Sequence, residues 1–163
     1  MSRLFGEMRQ VGIVVRDVVA AMKHWVEVCG VGPWFYAEKL PVTSFGYGDQ
    51  HFDGIHMSVA LANSGDIQPE LIQQRCDTPA CTLISWTRDI RACNIGPVGL
   101  STTTTNCSAR CPMVNSIGQQ AGSPRGRFVY FWNEGHPGTV IEMAHNTPDR
   151  ELIFDAVREA VRG

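Results

Sequence analysis

The chain has 163 residues, 44% of them hydrophobic and 18% charged, with a formal net charge of -2 at pH 7. That composition allows a packed core and excludes a disordered chain, and the slight acidity excludes the basic face that a nucleic-acid partner requires. No apolar run approaches the roughly 20 residues of a membrane helix, and Met1 to Gln10 lacks a signal-peptide core, so a cytoplasmic globular protein is expected.

In chain order, Gln10 to Arg16 (QVGIVVR) is a β-branched run that predicts a buried strand. Asp17 follows as a helix N-cap. Ala20, Ala21, Met22, Trp25, Val26 and Val28 recur near helical spacing and predict an amphipathic helix that ends at Gly30. Gly32-Pro33 marks a turn. Trp34 to Pro41 predicts a strand whose Trp34, Phe35 and Tyr36 are expected to pack the core or a dimer contact before lining a substrate wall. Phe45 to Gly54 is rich in Gly and Asp and predicts a hairpin or mobile loop. Ile55 to Asn63 alternates as a strand, Ser64-Gly65-Asp66 turns tightly, and Ile67 to Gln74 is the next strand. Pro69 suggests an edge or an irregular start for it. The first half therefore reads β-α-β-β-β.

The second half repeats the end of that order. Ser116 to Gly122, Arg127 to Trp132 and Thr139 to His145 are expected strands, with turns at Ser123 to Gly126 and Asn133 to Gly138. Thr147-Pro148 opens a helix with Pro at its first position. Leu152, Ile153, Ala156, Val157, Ala160 and Val161 are expected on one face of it. A second β-α pair is missing, and by symmetry it falls between about Thr82 and Asn115.

Glu70 and Glu142 each sit among apolar strand-forming neighbours, where a carboxylate is costly unless paired, metal-bound or facing a solvated cleft. Gln10 by itself reads as an ordinary strand-start residue. His51, His56, His136 and His145 are spare imidazoles, with His56 either lining a cleft or facing water. Arg125 and Arg127 either meet an anionic substrate or are simply solvated. The six cysteines form no CxxC pair, so no structural zinc site is indicated.

The ordered set RQVGIVVRD, GVGPW, SVALANSGDIQPELIQQ, GRFVYFW and GTVIEMAH resembles bacterial members of the vicinal-oxygen-chelate superfamily, the glyoxalase/bleomycin resistance/dioxygenase group. The likeness spans most of Arg9 to His145. It implies an α+β fold of two βαβββ modules forming a half-barrel pair, plus a C-terminal helix. One domain over 1–163 is implied, with module one at about 8–75, module two at about 90–146 and the helix at about 148–162. It also implies one divalent metal, held by side chains from the first and last strands of each module. Gln10 matches the first ligand position, Glu70 the second and Glu142 the fourth, while the third is usually a His.

Such oxygen donors favour a hard or borderline dication. Zinc, nickel, manganese or cobalt is expected, with iron disfavoured because Gln10 replaces a His. The implied activity is that of a lyase or isomerase resembling glyoxalase I or methylmalonyl-CoA epimerase. It would abstract a proton next to a chelated carbonyl, with Glu142 or Glu70 as base. A metal-free drug-binding protein of the bleomycin-resistance type and an extradiol dioxygenase-like enzyme are the alternatives. A small-molecule substrate and a homodimer are the implied partners.

The stretch from Ala80 to Pro112 departs from this pattern. It keeps neither helical nor strand periodicity for long and holds four cysteines (Cys81, Cys93, Cys107, Cys111). No His stands at the third ligand position, whose neighbourhood is Asn94, Ile95 and Gly96. A shifted reading frame, built from the last base of each codon and the first two of the next, turns Trp86-Thr87 into Asp, Cys93-Asn94 into Gln or stop, and Asn94-Ile95 into His or Tyr. One permitted translation looks like the family's usual second-module start, with its His in place. Two compensating frameshifts would account for the segment, and the gene's DNA tests this. A divergent module with Cys93 or Asn94 as ligand is the other reading. Without the imidazole, Gln10, Glu70 and Glu142 alone would bind a metal weakly, and Gly96, Pro97 and Gly99 are expected to reduce packing or order near Ile90 to Ser108.

Overall fold

A computed structural model describes residues 8–83, 93–97, 116–132, 139–145 and 147–161. Strand β1 (Met8–Val14) leads into helix α1 (Val18–Cys29), followed by β2 (Phe35–Ala37), the hairpin β3 (Ser44–Tyr47) and β4 (Gln50–Phe52), then β5 (Met57–Leu61) and β6 (Gln68–Gln74). Strands β7 (Cys93–Pro97), β8 (Ser116–Ser123), β9 (Gly126–Trp132) and β10 (Thr139–Ala144) come next, and helix α2 (Pro148–Glu159) closes the chain. The strands form one sheet in the order β2-β5-β6-β1-β7-β10-β9-β8-β3-β4. The architecture is the expected α+β fold.

The sheet carries an internal two-fold relation. β1 runs parallel to β6, and β7 runs parallel to β10. β1 and β7 meet antiparallel at the centre, with Val11 opposite Ile95. Gln10 pairs with Gln68, two residues before Glu70. Asn94 pairs with Val140, two residues before Glu142. By backbone register, Asn94 stands to Glu142 as Gln10 stands to Glu70. The hairpin breaks the symmetry, since β3 crosses over to pair with β8 of the second half.

Alternation along the strands sends one set of side chains to each face. On the convex face, α1 packs Val18 against Ala60 and Leu71, with Met22, Trp25 and Trp34 around them. The helix starts where its sequence says: the Asp17 carboxylate accepts from the Val19 and Ala20 N–H groups at 2.9 Å each, and Gly30 ends it in the left-handed region at φ 66°. Gln73 fixes this start to the sheet, accepting from Val18 N–H at 3.0 Å and donating to the Arg16 carbonyl at 2.7 Å. Leu71 is fully buried at this junction. Leu71→Ala is expected to cost about 2–5 kcal/mol, read as a lower urea midpoint at unchanged m-value. On the concave face, Phe45, Ile55, Met57, Val59, Ile72 and Ala121 form the main cluster.

Several expectations change. The strand at Trp34 to Pro41 shrinks to three residues, because the chain leaves the ladder before Pro41, which has no N–H to donate. Pro69 is not on an edge: β6 lies between β5 and β1, and the proline is tolerated one residue from the strand start. Phe45 to Gly54 forms an ordered hairpin. In α2 the inward face holds Ile153, Phe154 and the fully buried Val157, whereas Leu152 and Val161 are exposed. The apolar residues misplaced this face because four of them, Leu152, Ala156, Ala160 and Val161, are solvent-facing. The turn at Asn133 to Gly138 lies outside the described residues. So does most of the 80–112 segment, apart from 80–83 and β7.

Candidate functional site

Gln10 from β1, Glu70 from β6 and Glu142 from β10 share one cavity of about 410 Å³ on the concave side. That volume suits a small organic molecule. Its walls include Phe35, Leu61 and Phe128, and α2 closes it with Arg150, Ile153 and Phe154. Phe35 and Tyr36 line this cavity and are 43% and 41% exposed, which overturns the expectation that they pack in the core. The short β2 lies at the sheet edge and pairs only with β5, with Phe35 opposite the cavity-lining Leu61 and Tyr36 opposite Ala60, its hydroxyl accepting from Arg75 at 3.5 Å.

Two residues that the sequence did not single out belong to the site. Tyr130 stands directly across the β9–β10 ladder from Glu142. Its hydroxyl donates to that carboxylate. Arg150, from the first turn of α2, faces both glutamates, and its charge favours their ionised forms.

Burial dominates the electrostatics. It drives the Glu70 carboxyl up from 4.5 to about 8, the nearby Glu142 charge adds to the rise, and Arg150 opposes it. Glu142 is likewise raised by burial, against the pull of Arg150 and the Tyr130 hydrogen bond. Tyr130 is held well above 10, first by burial and then by the two carboxylates. Removing its hydroxyl should therefore push Glu142 higher still. In a Tyr130→Phe variant, the Glu142 titration followed by carboxyl-carbon NMR is expected to shift upward. A downward or absent shift would show that the hydroxyl does not stabilise the anion.

The donor set suits a divalent cation in kind. Two desolvated carboxylates and one amide are oxygen donors of the type that hard and borderline dications take. The cavity also sets two acids against a single half-buried base, a charge balance that favours added positive charge. Among the described residues no group of three or more His, Cys, Asp and Glu is gathered to hold a metal, and none of the imidazoles lines this cavity. His56 lies just before β5 and its backbone N–H donates to Cys76 Sγ at 3.4 Å, His145 is exposed, and His136 lies outside the described residues.

A second depression of about 440 Å³ gathers Ser44, His51, Gln120 and Arg127 around Gly46 and Gly122. Among the described residues it holds no carboxylate. Arg125 lies at the rim of the first cavity, and Arg127 in this second one.

Residues 9–131 match the family model described as Glyoxalase/Bleomycin resistance protein/Dioxygenase superfamily. Solved structures share the fold. Methylmalonyl-CoA epimerase from Mycobacterium tuberculosis aligns at TM-score 0.53 and 14% identity over 93% of this chain and 95% of its own. A selenomethionine-labelled methylmalonyl-CoA epimerase aligns at 0.50 and 13%, over 90% and 99%. A hypothetical protein from Bacillus halodurans aligns at 0.55 and 12%, over 86% and 94%. No curated protein sequence matches the chain. Among the described residues no helix is long and apolar enough to cross a membrane.

Proposed function

The chain belongs to the glyoxalase/bleomycin resistance protein/dioxygenase superfamily, and on that premise we propose that its concave cavity abstracts a proton next to the carbonyl of a small substrate with the help of a divalent metal. The observation that carries this reading is the convergence of Gln10, Glu70 and Glu142, from three separate strands, on one cavity. Those three residues would hold the cation, with zinc, nickel, manganese or cobalt preferred over iron. Bound there, it would supply electrophilic polarisation of two neighbouring substrate oxygens.

The protein's own groups supply the rest. Glu142 is fixed by the Tyr130 hydroxyl and is the better ligand, because its orientation is already set. Glu70 is raised to about 8, close to the working pH where a general base is most effective. It is the group that takes and returns the proton. Phe35, Leu61, Phe128 and Phe154 exclude water from the substrate's apolar part. Members of this superfamily often bind a divalent metal and are commonly dimers acting on small substrates, and a homodimer is the assembly we expect.

The test combines elemental analysis after dialysis against each metal salt with α-proton exchange in D2O. The substrates are branched acyl thioesters and 2-oxo acids, followed by NMR. About one metal per chain and metal-dependent exchange support the reading. Failure to retain any metal, with small aromatic drugs still bound, would replace it with a metal-free binding protein.

A further inference from the structure

We propose that Arg150 is the specificity-determining residue of the concave cavity and that it takes the carboxylate of an anionic substrate whose reacting end lies at Glu70 and Glu142. The inference rests on the reading of this cavity as the substrate site, and it adds the chemical class of what enters.

The first support is how Arg150 is delivered. It lies on the same helix face as Ile153 and Phe154, at spacings of three and four, and all three line the cavity. The helix is tied to the sheet at several points. Thr147 Oγ1 accepts from Arg150 N–H at 3.3 Å and donates to the Arg125 carbonyl at 2.9 Å. Gln68 Nε2, on the strand that carries Glu70, donates to the Phe154 carbonyl at 2.8 Å. These bonds hold the backbone beneath the guanidinium, so the position of Arg150 is built in.

The second support is what the guanidinium does not touch. Arg150 faces both carboxylates closely enough to favour their ionised forms, yet it forms no ion pair within 4 Å with either. Among the described residues the ion pairs are Lys23–Glu27 at 3.8 Å and Arg158–Asp155 at 3.5 Å, both on helix surfaces. Its side chain makes no hydrogen bond to a described residue either. A half-buried guanidinium is an unusual group to leave with its planar donors unspent. Here the space between it and the two acids is the cavity itself. A planar oxyanion placed in that gap meets the fork geometry of the arginine and leaves the substrate's other end at the glutamates.

The charges favour a carboxylate over a phosphate. One half-buried guanidinium offers a single planar fork, which a singly charged carboxylate matches more closely than a dianionic phosphate. Arg125 stands at the rim and is exposed, where water screens it. The walls between are apolar, which fits a short hydrocarbon body rather than a sugar.

Two hydroxamates with the same chelating head test this directly. Butyrohydroxamate is neutral at its tail, and the monohydroxamate of succinate carries a carboxylate there. Both are titrated calorimetrically into the full chain, metal-free and manganese-loaded, for wild type, Arg150→Gln and Arg150→Lys. The expected result is a preference of about tenfold for the carboxylate-bearing probe, lost in Arg150→Gln, partly kept in Arg150→Lys, with butyrohydroxamate binding unchanged. Equal affinity for the two probes in wild type, or a preference that survives Arg150→Gln, overturns the proposal. If Arg150→Gln melts well below wild type, the Arg150→Lys ratio decides. Manganese should tighten both probes equally. If it tightens neither while the preference persists, the metal reading fails and the arginine assignment stands.

Discussion

Raising the pH of the metal-free protein from about 5 to about 8.5 is expected to lower its melting temperature, and a divalent cation should restore most of the loss. The unfolded chain releases the Glu70 proton near 4.5, whereas the folded chain holds it to about 8. Between those values the folded state binds more protons than the unfolded one, so stability falls as pH rises. The stabilisation is complete below 4.5, is lost progressively up to about 8, and does not change further above that. Glu142 is shifted in the same direction and adds to the slope. Each tenfold gain in proton affinity on folding corresponds to about 1.4 kcal/mol, but the carboxylates share a water-accessible cavity. A loss of roughly 2–4 kcal/mol is the reasonable expectation, or about 5–15 °C for a chain of this size. Metal binding displaces the protons and adds about 2.7 kcal/mol at a hundredfold excess over Kd. The cation should therefore raise the melting temperature much more at pH 8.5 than at pH 5. Glu70→Gln should flatten the pH profile. A wild-type profile already flat between these limits would mean that neither glutamate is desolvated.

Replacing the two glutamates one at a time should separate the base from the ligand. Glu142→Gln is expected to lose most metal affinity, and with it all metal-dependent exchange, because it removes the negative charge that the Tyr130 hydroxyl favours. Glu70→Gln is expected to keep weakened metal binding but lose α-proton exchange by about 10²–10⁴-fold, the usual contribution of a general base. Metal content by elemental analysis and exchange by NMR on the same samples distinguish the roles. If Glu70→Gln retains exchange while Glu142→Gln binds metal and is inactive, the assignments swap.

Much of this fold was legible in the sequence because its signals are local. Asp17 and Gly30 bracket α1 through capping and left-handed backbone. Thr147-Pro148 opens α2 for the same kind of reason. Gln10, Glu70 and Glu142 were found through the resemblance, and the structure brings their side chains to one cavity. Tyr130 was not found, because RFVYFW is apolar at nearly every position and alternation cannot say which face is which. Its partner appears only once β9 and β10 are in register. Arg150 was missed because the apolar count drew the α2 face from Leu152, Ile153, Ala156, Val157, Ala160 and Val161, which leaves out Phe154 and the basic residue three before Ile153. The informative pattern was a basic residue at i, with Ile153, Phe154 and Val157 at i+3, i+4 and i+7. The odd composition of 80–112 hid β7 as well, yet Asn94-Ile95-Gly96 mirrors Gln10-Val11-Gly12 in residue type and in register. That likeness was there to be read.

The crossover hairpin has a consequence for how the chain assembles. Ser44 to Tyr47 pair with Gln119 to Gly122, about 75 residues further along. At a synthesis rate of roughly 5–20 residues per second, β3 waits about 4–15 s for its neighbour to leave the ribosome. During that interval Phe45 and Phe52, which will be packed together, sit on a hairpin whose β3 edge is still open. An open edge bearing aromatic side chains invites pairing with another nascent chain. Production at low temperature, or co-expression with a holdase chaperone, should therefore raise the soluble yield of this protein more than it would for a fold whose strands pair only with their sequence neighbours.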